Sequence, residues 1–256
     1  MKKILLALTV SASLALTAIT SFAADVVKVG IAAEPYPPLS IKNADGTWEG
    51  FEIDLLDMVC TEANIECEIK EIAWDGIIPA LLSKKIDVIF TSMSVTEERA
   101  KKVLFTKPYY NSLPVVIGLP DQTWAIDKDA LKRKIIGVQT STISGNYIKM
   151  KAGKFAEIRE YSTQDEVNSD LLAGRIDFML ADGIPAMDFY NKNKDSLAFY
   201  GDVEYDPSLG QGVAAAVRLE DTDLEAALSE AIANIVVSDE YEALSVRHLG
   251  TNVAPK

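Results

Sequence analysis

The sequence predicts an α/β protein built from two similar units, and two observations support this. Residues 86–90 form a short apolar run that ends in small hydroxyl residues, which is typical of a strand buried on both faces of a parallel sheet. Residues 81–92 align without gaps with residues 171–182, and each segment has the pattern of helix end, basic turn, Ile-Asp, apolar strand and polar tip. The chain therefore contains two related α/β units about ninety residues apart.

The first 23 residues are predicted to be a signal peptide. Lys2 and Lys3 precede an apolar stretch over 4–19, and residues 21–23 resemble a signal-peptidase cleavage site. The mature chain would begin at Ala24, and the apolar stretch is too short to be a convincing membrane span. We expect an exported, soluble protein.

Composition narrows the partners and cofactors. The formal net charge of −13 argues against nucleic acid as a partner. Cys60 and Cys67 are the two cysteines, and in an exported protein a disulfide is the default expectation, which here would join a helix to the following strand. With His248 as the single histidine and no CxxC pattern, we predict no metal site and no cofactor.

The first unit begins with a strand over 26–32 and a stiff proline-rich loop that holds Tyr36. Tyr36 is a candidate aromatic wall for a ligand, and the alternative is a surface turn. A helix opens at 50–56 and a strand at Cys67. Trp74 then lies at a strand-to-helix junction, on the carboxyl edge of the sheet, although a large aromatic residue there could also be part of the core.

The apolar run over 86–90 leads directly into a candidate anion site. Thr91, Ser92 and Ser94 follow the strand, and Arg99 is one helical turn further on. The spacing of Ser94 and Glu97 matches a capping box, so we expect a helix to begin there. Free backbone N–H groups, hydroxyls and a guanidinium together suit a carboxylate. The alternative is a capped surface helix with a solvated arginine.

The second unit starts after a predicted domain crossing at 112–114. A strand over 135–139 leads into a hydroxyl-rich turn with Thr142, which suits either an anion or ordinary helix capping. A helix over 164–173 and a strand over 178–180 end at Asp182. A hydroxyl-rich tip facing a carboxylate tip suits a zwitterion. A strand over 210–217 would return across the boundary, followed by helices at about 221–237 and 239–248.

Six motifs, in this order and at this spacing, resemble the exported solute-binding proteins of polar amino-acid ABC transporters. They occupy residues 36–39, 50–55, 76–81, 94–99, 105–110 and 174–177, and the similarity covers 26–250. The resemblance implies the two-lobe type II periplasmic-binding-protein fold, with a mixed sheet flanked by helices in each lobe and a two-strand hinge. Lobe 1 would contain 24–113 and 207–256, and lobe 2 would contain 114–206. The cysteine pair resembles the disulfide of the branch that binds lysine, arginine, ornithine or histidine.

The resemblance also implies roles for individual residues. Arg99 would bind the ligand α-carboxylate, helped by Ser92, Ser94 and Thr142, and Asp182 would bind the α-ammonium group. Tyr36 and Trp74 would enclose the side chain, and Glu52 occupies a position that can contact a basic side chain. The full set of predicted ligand-binding residues is Tyr36, Glu52, Trp74, Thr91, Ser92, Ser94, Arg99, Gln139, Thr142 and Asp182. The chain departs from the family at Thr140, at Leu39 and in a longer loop before Tyr36.

The predicted function is capture of a basic amino acid, or of a relative such as an opine, and delivery to an ABC importer in the periplasm. Glu34 and Glu52 near two aromatic residues favour a cation. A neutral ligand such as glutamine, which needs no acid, is the alternative. The same fold also hosts dehydratases of prephenate-like acids, which would need a general acid such as Glu34 or Glu52. A sensor that presents its ligand to a receptor is a third possibility. We expect a monomer that binds membrane permease subunits and is not an enzyme.

Overall fold

The computed structural model describes residues 26–255, so the predicted signal peptide lies outside the described residues. Among the residues described, none of the helices combines the length and the apolar character that a membrane crossing requires. The strands, in chain order, are β1 (Val27–Ala32), β2 (Ile41–Lys42), β3 (Trp48–Glu49), β4 (Cys67–Ile72), β5 (Val88–Ile89), β6 (Leu104–Tyr110), β7 (Pro114–Gly118), β8 (Ile135–Gln139), β9 (Glu157–Tyr161), β10 (Phe178–Asp182), β11 (Ala198–Asp202) and β12 (Val213–Val217).

Helices alternate with these strands along most of the chain. They are α1 (Phe51–Glu62), α2 (Ile77–Leu82), α3 (Glu97–Ala100), α4 (Lys128–Leu131), α5 (Ile143–Ala152), α6 (Gln164–Leu172), α7 (Gly183–Asn193), α8 (Thr222–Ile235) and α9 (Asp239–Leu249). Short 3-10 turns occur at Trp74–Gly76 and Pro207–Leu209.

The described chain forms two five-stranded mixed sheets with the same topology. The first has the order β4-β1-β5-β12-β6, and the second, read in the same direction, has the order β9-β8-β10-β7-β11. In each sheet the first three strands are parallel and the last two are antiparallel to their neighbours. Helices pack on both faces of each sheet, with α1, α8 and α9 over one face of the first and α6 and α7 over one face of the second. The predicted α/β fold class is confirmed.

The repeated segment forms the same structure twice. Asp87 Oδ2 accepts a hydrogen bond from the backbone N of Lys28 at 3.1 Å, and Asp177 Oδ2 accepts one from the backbone N of Ile135 at 2.9 Å. Each aspartate thus fixes the start of the neighbouring parallel strand. The turn before the strand in each copy contains a residue with positive φ, Lys84 at 61° and Gly174 at 68°.

Two connections join the sheets. The first runs from the end of β6 to the start of β7, at the predicted crossing. The second runs from β11 to β12 and contains Gly210 and Gly212, with φ of 80° and 79°. A Cβ at Gly210 would lie 2.4 Å from the carbonyl oxygen of Val95, so glycine is required there. Leu209 packs in the core of the second sheet, which places the turn just before these glycines with that sheet.

The helix after β5 differs from the prediction. Thr96, not Ser94, caps it, because the Thr96 hydroxyl oxygen accepts a hydrogen bond from the backbone N of Arg99 at 3.2 Å. The helix has four residues, and Ser94 forms an isolated β-bridge with Val213 instead. The predicted capping box is therefore wrong. The bridge to the returning strand keeps Ser94 extended, which the local spacing of hydroxyl and acid does not show.

The predicted disulfide is confirmed. Cys60 in α1 is bonded to Cys67, the first residue of β4, with a Cα–Cα distance of 6.2 Å. It ties a core helix to the edge strand of the first sheet, as expected from the sequence.

The turn before β10 gives a prediction about stability. Gly174→Ala should lower the free energy of unfolding by about 1 kcal/mol, because an L-residue at positive φ is strained while open space surrounds the new Cβ. Gly76→Ala is the matched control, since Gly76 has φ of −96° and equally open surroundings. Urea unfolding of the ligand-free variants measures both. Equal losses in the two variants would contradict the argument from backbone conformation.

Candidate functional site

The carboxyl ends of the parallel strands of both sheets face each other across a cleft. Three hydrogen bonds cross it. Tyr36 Oη donates to Asp182 Oδ2 at 3.3 Å, Trp74 Nε1 donates to the carbonyl oxygen of Thr140 at 3.2 Å, and Arg99 Nη2 donates to the carbonyl oxygen of Ser141 at 3.1 Å. These hydrogen bonds hold the cleft closed, and side chains from both sheets surround the space between the sheets.

These contacts enclose a small cavity between the two sheets. Its lining residues come from the strand ends of both sheets: Ala32, Glu34, Pro35, Tyr36, Trp74, Thr91, Ser92, Gln139, Thr142, Gln164 and Asp182. Of the predicted site residues, Tyr36, Trp74, Thr91, Ser92, Gln139, Thr142 and Asp182 are brought together here.

Asp182 is the last residue of β10 and carries the carboxylate of the second sheet into the cavity. Burial raises the pKa of Asp182 to about 6, while the nearby Arg99 guanidinium and the hydrogen bond from Tyr36 lower it. The desolvation of this carboxylate is thus only partly compensated by its protein partners. A positively charged group placed beside it would stabilise the ionised form.

Arg99 is not among the residues that line the cavity; it lines a second groove, which shares Trp74 with the cavity. Its Nη1 donates to the carbonyl oxygen of Ser94 at 2.9 Å, and the guanidinium carbon lies 5.4 Å from the centre of the Trp74 ring. Burial lowers the pKa of Arg99, and the charges of Asp182 and Glu98 raise it. Both guanidinium contacts are to backbone carbonyls, so no carboxylate neutralises it by direct hydrogen bonding. Ser94 does not line the cavity, and its carbonyl group serves to position Arg99.

Glu52 lies behind the cavity wall rather than in it. It is 2% exposed, and both carboxylate oxygens have partners. Oε1 accepts from the backbone N of Ser92 and from Tyr109 Oη, both at 2.7 Å, and Oε2 accepts from Ser92 Oγ at 2.8 Å. Burial raises the pKa of Glu52, and these hydrogen bonds lower it. Direct contact between Glu52 and a ligand is not supported by this arrangement. Glu52 instead holds Ser92, whose φ of 47° is unusual for a serine.

The hydroxyl groups of the site are largely engaged within the protein. Ser92 Oγ donates to Glu52, and Thr142 Oγ1 donates to the carbonyl oxygen of Gln139 at 2.7 Å while accepting from the backbone N of Gly145 at 3.0 Å. Thr91 Oγ1 accepts from the backbone N of Ala32 at 3.2 Å. The hydroxyl protons of Ser92 and Thr142 are thus not available to a carboxylate, although the resemblance implied that role.

Gln164 is the main lining residue that the sequence analysis missed as a site residue. It is the first residue of α6, three positions beyond the end of β9. In the repeated topology β9 is the counterpart of β4, and Trp74 follows β4 at a similar distance. Applying the internal repeat to this strand, and not only to the segment before Asp182, would have identified the position. Glu34 was considered only as a possible contact, and it lines the cavity.

Comparison with known proteins gives a consistent assignment. The family model of the bacterial extracellular solute-binding proteins, family 3, matches residues 27–251. An L-arginine-binding protein of Pseudomonas aeruginosa is 35% identical over 263 aligned residues, which cover 99% of this chain and 98% of that protein.

Solved structures show the same architecture. An ancestral arginine-binding protein bound to arginine matches with a TM-score of 0.79 and 27% identity, over 88% of this chain and 98% of that one. An ancestral amino acid-binding protein described as a precursor of cyclohexadienyl dehydratase matches with a TM-score of 0.75 and 26% identity, over 88% of this chain and 95% of that one. The chain belongs to family 3 of the bacterial extracellular solute-binding proteins, and its fold is the two-lobe type II fold of periplasmic binding proteins.

Proposed function

We propose that this protein captures a basic L-amino acid, with arginine the best supported, in the periplasm and delivers it to an ABC importer. The observation that carries the proposal is the closed cavity between the sheets, which has carboxylates in its lining and the Arg99 guanidinium in a groove that shares Trp74 with it. The arginine-binding protein of Pseudomonas aeruginosa and the arginine complex of the ancestral protein support the same ligand class.

The charges around the cavity suit a ligand with a net positive charge. Glu34 and Asp182 line it, and Glu52 lies behind Ser92. The nearby cation is Arg99, which lines the groove that shares Trp74 with the cavity. A zwitterion with a cationic side chain brings two positive groups for the lining carboxylates and one negative group for Arg99. A neutral amino acid would leave one lining carboxylate without a counter-charge in a partly desolvated position.

The two α-groups have matching partners on opposite sheets. Arg99, reached from the first sheet, would bind the α-carboxylate with its planar guanidinium, replacing one of its present carbonyl contacts. Asp182 on the second sheet would bind the α-ammonium group. Tyr36 and Trp74 would lie against the ligand side chain, where contact between a cation and an aromatic ring contributes about 0.5–2 kcal/mol.

Each of the two sheets would form the centre of one lobe. The division expected from the sequence is 24–113 and 207–256 in lobe 1 and 114–206 in lobe 2. We propose the same division with one change: the second boundary lies at Gly210–Gly212 instead of at 206–207, because Leu209 packs with lobe 2. Rotation about the two connections would open the cleft, and a ligand that binds both lobes favours closure. The closed monomer would then be recognised by the permease subunits.

We further propose that the protein is not an enzyme. Prephenate, the substrate of the dehydratases on this fold, carries two carboxylates, and the cavity would place them beside Glu34 and Asp182. Repulsion between buried like charges opposes that binding. Incubation of the protein with prephenate should give no phenylpyruvate above the rate without protein. Turnover that saturates with prephenate would overturn this part of the proposal.

Removal of the guanidinium tests the α-carboxylate assignment. Arg99→Ala should weaken arginine binding by at least about 100-fold, because the ligand carboxylate would be buried without its charged partner. Arg247→Ala is the matched control, since Arg247 is exposed and paired with Asp54 outside the cavity. Isothermal titration calorimetry measures both variants. Affinity within fivefold of the wild type for Arg99→Ala would refute the assignment.

The raised pKa of Asp182 predicts the pH dependence of binding. The ligand ammonium group needs the ionised carboxylate, and Asp182 protonates in the ligand-free protein as the pH falls through about 6. Arginine affinity should therefore fall about tenfold between pH 7 and pH 5. The stability of the ligand-free protein should change in the opposite direction. Because the pKa of Asp182 is raised in the folded state, its protonation as the pH falls below 6 increases the free energy of unfolding.

Asp182→Asn separates this group from other titrations. The variant should bind arginine weakly at both pH values, with less than twofold change between them. Calorimetry at pH 5, 6 and 7 provides the measurement. A wild-type affinity that stays constant over this range would show that Asp182 is not the ammonium partner.

A further inference from the structure

We infer that Gln164 is a specificity-determining residue whose side-chain oxygen selects ligand side chains that donate hydrogen bonds. The inference rests on the proposed function and extends it from the α-groups to the far end of the ligand. Gln164 is 7% exposed, lines the cavity and belongs to lobe 2. Gln164 is not among the ligand-binding residues that the sequence predicted.

The amide nitrogen of Gln164 is held by the protein. Nε2 donates to Asn168 Oδ1 at 3.0 Å and to the sulfur of Met179 at 3.6 Å. An amide nitrogen has two N–H groups, and these two contacts use both. The group left for the cavity is the carbonyl oxygen Oε1, which can only accept.

The other side chains that line the cavity also offer few hydrogen-bond donors to a ligand. Among the lining residues described, the donors of Tyr36, Trp74, Ser92 and Thr142 are all directed to oxygens of the protein. Gln139 uses one amide N–H on the carbonyl oxygen of Ser162 at 3.1 Å. What remains to donate is the Thr91 hydroxyl and the second N–H of Gln139.

Acceptors are plentiful by comparison. Glu34 uses Oε2 for the backbone N of Trp74 at 3.3 Å, which leaves Oε1 to the cavity. The other acceptors in the lining are the side-chain oxygens of Gln139 and Gln164 and the carboxylate of Asp182. A guanidinium, with five N–H donors and no acceptor, complements such a wall. A ureido or carboxamide group brings an oxygen that must find one of the few donors, and an unpaired buried oxygen is penalised.

Citrulline provides the first arm of the test, because it has nearly the shape of arginine with an oxygen in place of one nitrogen. The wild-type protein should bind citrulline at least about 100-fold more weakly than arginine. Citrulline binding within tenfold of arginine would overturn the inference. If arginine, lysine and ornithine all failed to bind, the proposed function itself would be overturned, so the two failures are distinguishable.

Two substitutions of Gln164 separate the acceptor from a structural role. Gln164→Met removes the oxygen at similar length and should lower arginine affinity about tenfold, as expected for one hydrogen bond to a charged group. Gln164→Glu keeps an acceptor but loses the donors to Asn168 and Met179, so arginine affinity should be retained or increased. A role through the amide nitrogen would make both variants weak.

The control is the same substitution outside the cavity. Gln122→Met changes a glutamine whose amide nitrogen lies near the carbonyl oxygen of Pro120, and arginine affinity should not change. Calorimetry measures all three variants, and their ligand-free thermal midpoints verify folding. A tenfold loss in Gln164→Met with retained affinity in Gln164→Glu supports the inference. Unchanged affinity in Gln164→Met, or equal losses in both variants, would overturn it.

Discussion

Opposite charges buried between two lobes are the interaction on which this site depends. Arg99 and Asp182 enter the cleft from different sheets, and in the closed cleft both are partly shielded from water. Each has protein partners that compensate only part of the desolvation, namely backbone carbonyls for Arg99 and the Tyr36 hydroxyl for Asp182. A zwitterionic ligand would supply the missing counter-charges, its carboxylate beside Arg99 and its ammonium group beside Asp182. Under the proposed function, this charge arrangement would couple ligand binding to lobe closure.

The fold prepares this arrangement through its repeated topology. In both sheets the parallel strands end at the cleft, and Asp87 and Asp177 fix the start of the neighbouring strands in the same way. Strand ends, and the first residues that follow them, carry most of the side chains that line the cavity. The turn at Ser92 is held by Glu52, a buried carboxylate with three hydrogen-bond donors. The cavity wall at Ser92 thus depends on a residue that does not itself line the cavity.

Much of the fold and the centre of the site could be predicted from the sequence. Apolar runs ending in polar tips indicate strands and their carboxyl ends, which located Thr91, Ser92 and Asp182. The repeat of residues 81–92 indicated two related units. These patterns depend on short stretches of sequence, and the strands that they predict are present in the two sheets.

The remaining features depend on contacts between distant segments. Ser94 satisfies the spacing of a capping box, but its bridge to Val213 on a strand more than one hundred residues away prevents that role. The acidity of Glu52 suggested a ligand contact, whereas its partners Ser92 and Tyr109 hold it behind the wall. The direction in which a hydroxyl or amide donates is likewise set by the folded neighbours, so the acceptor-rich character of the cavity is not visible in the sequence.

A crystal structure of the mature chain with arginine would test the central claim most directly. We expect arginine in the cavity between the sheets, with its carboxylate on Arg99, its ammonium group on Asp182 and its guanidinium among Glu34, Gln139 and Gln164. Arginine bound outside this cavity, or with its guanidinium on Asp182 and its carboxylate away from Arg99, would contradict it.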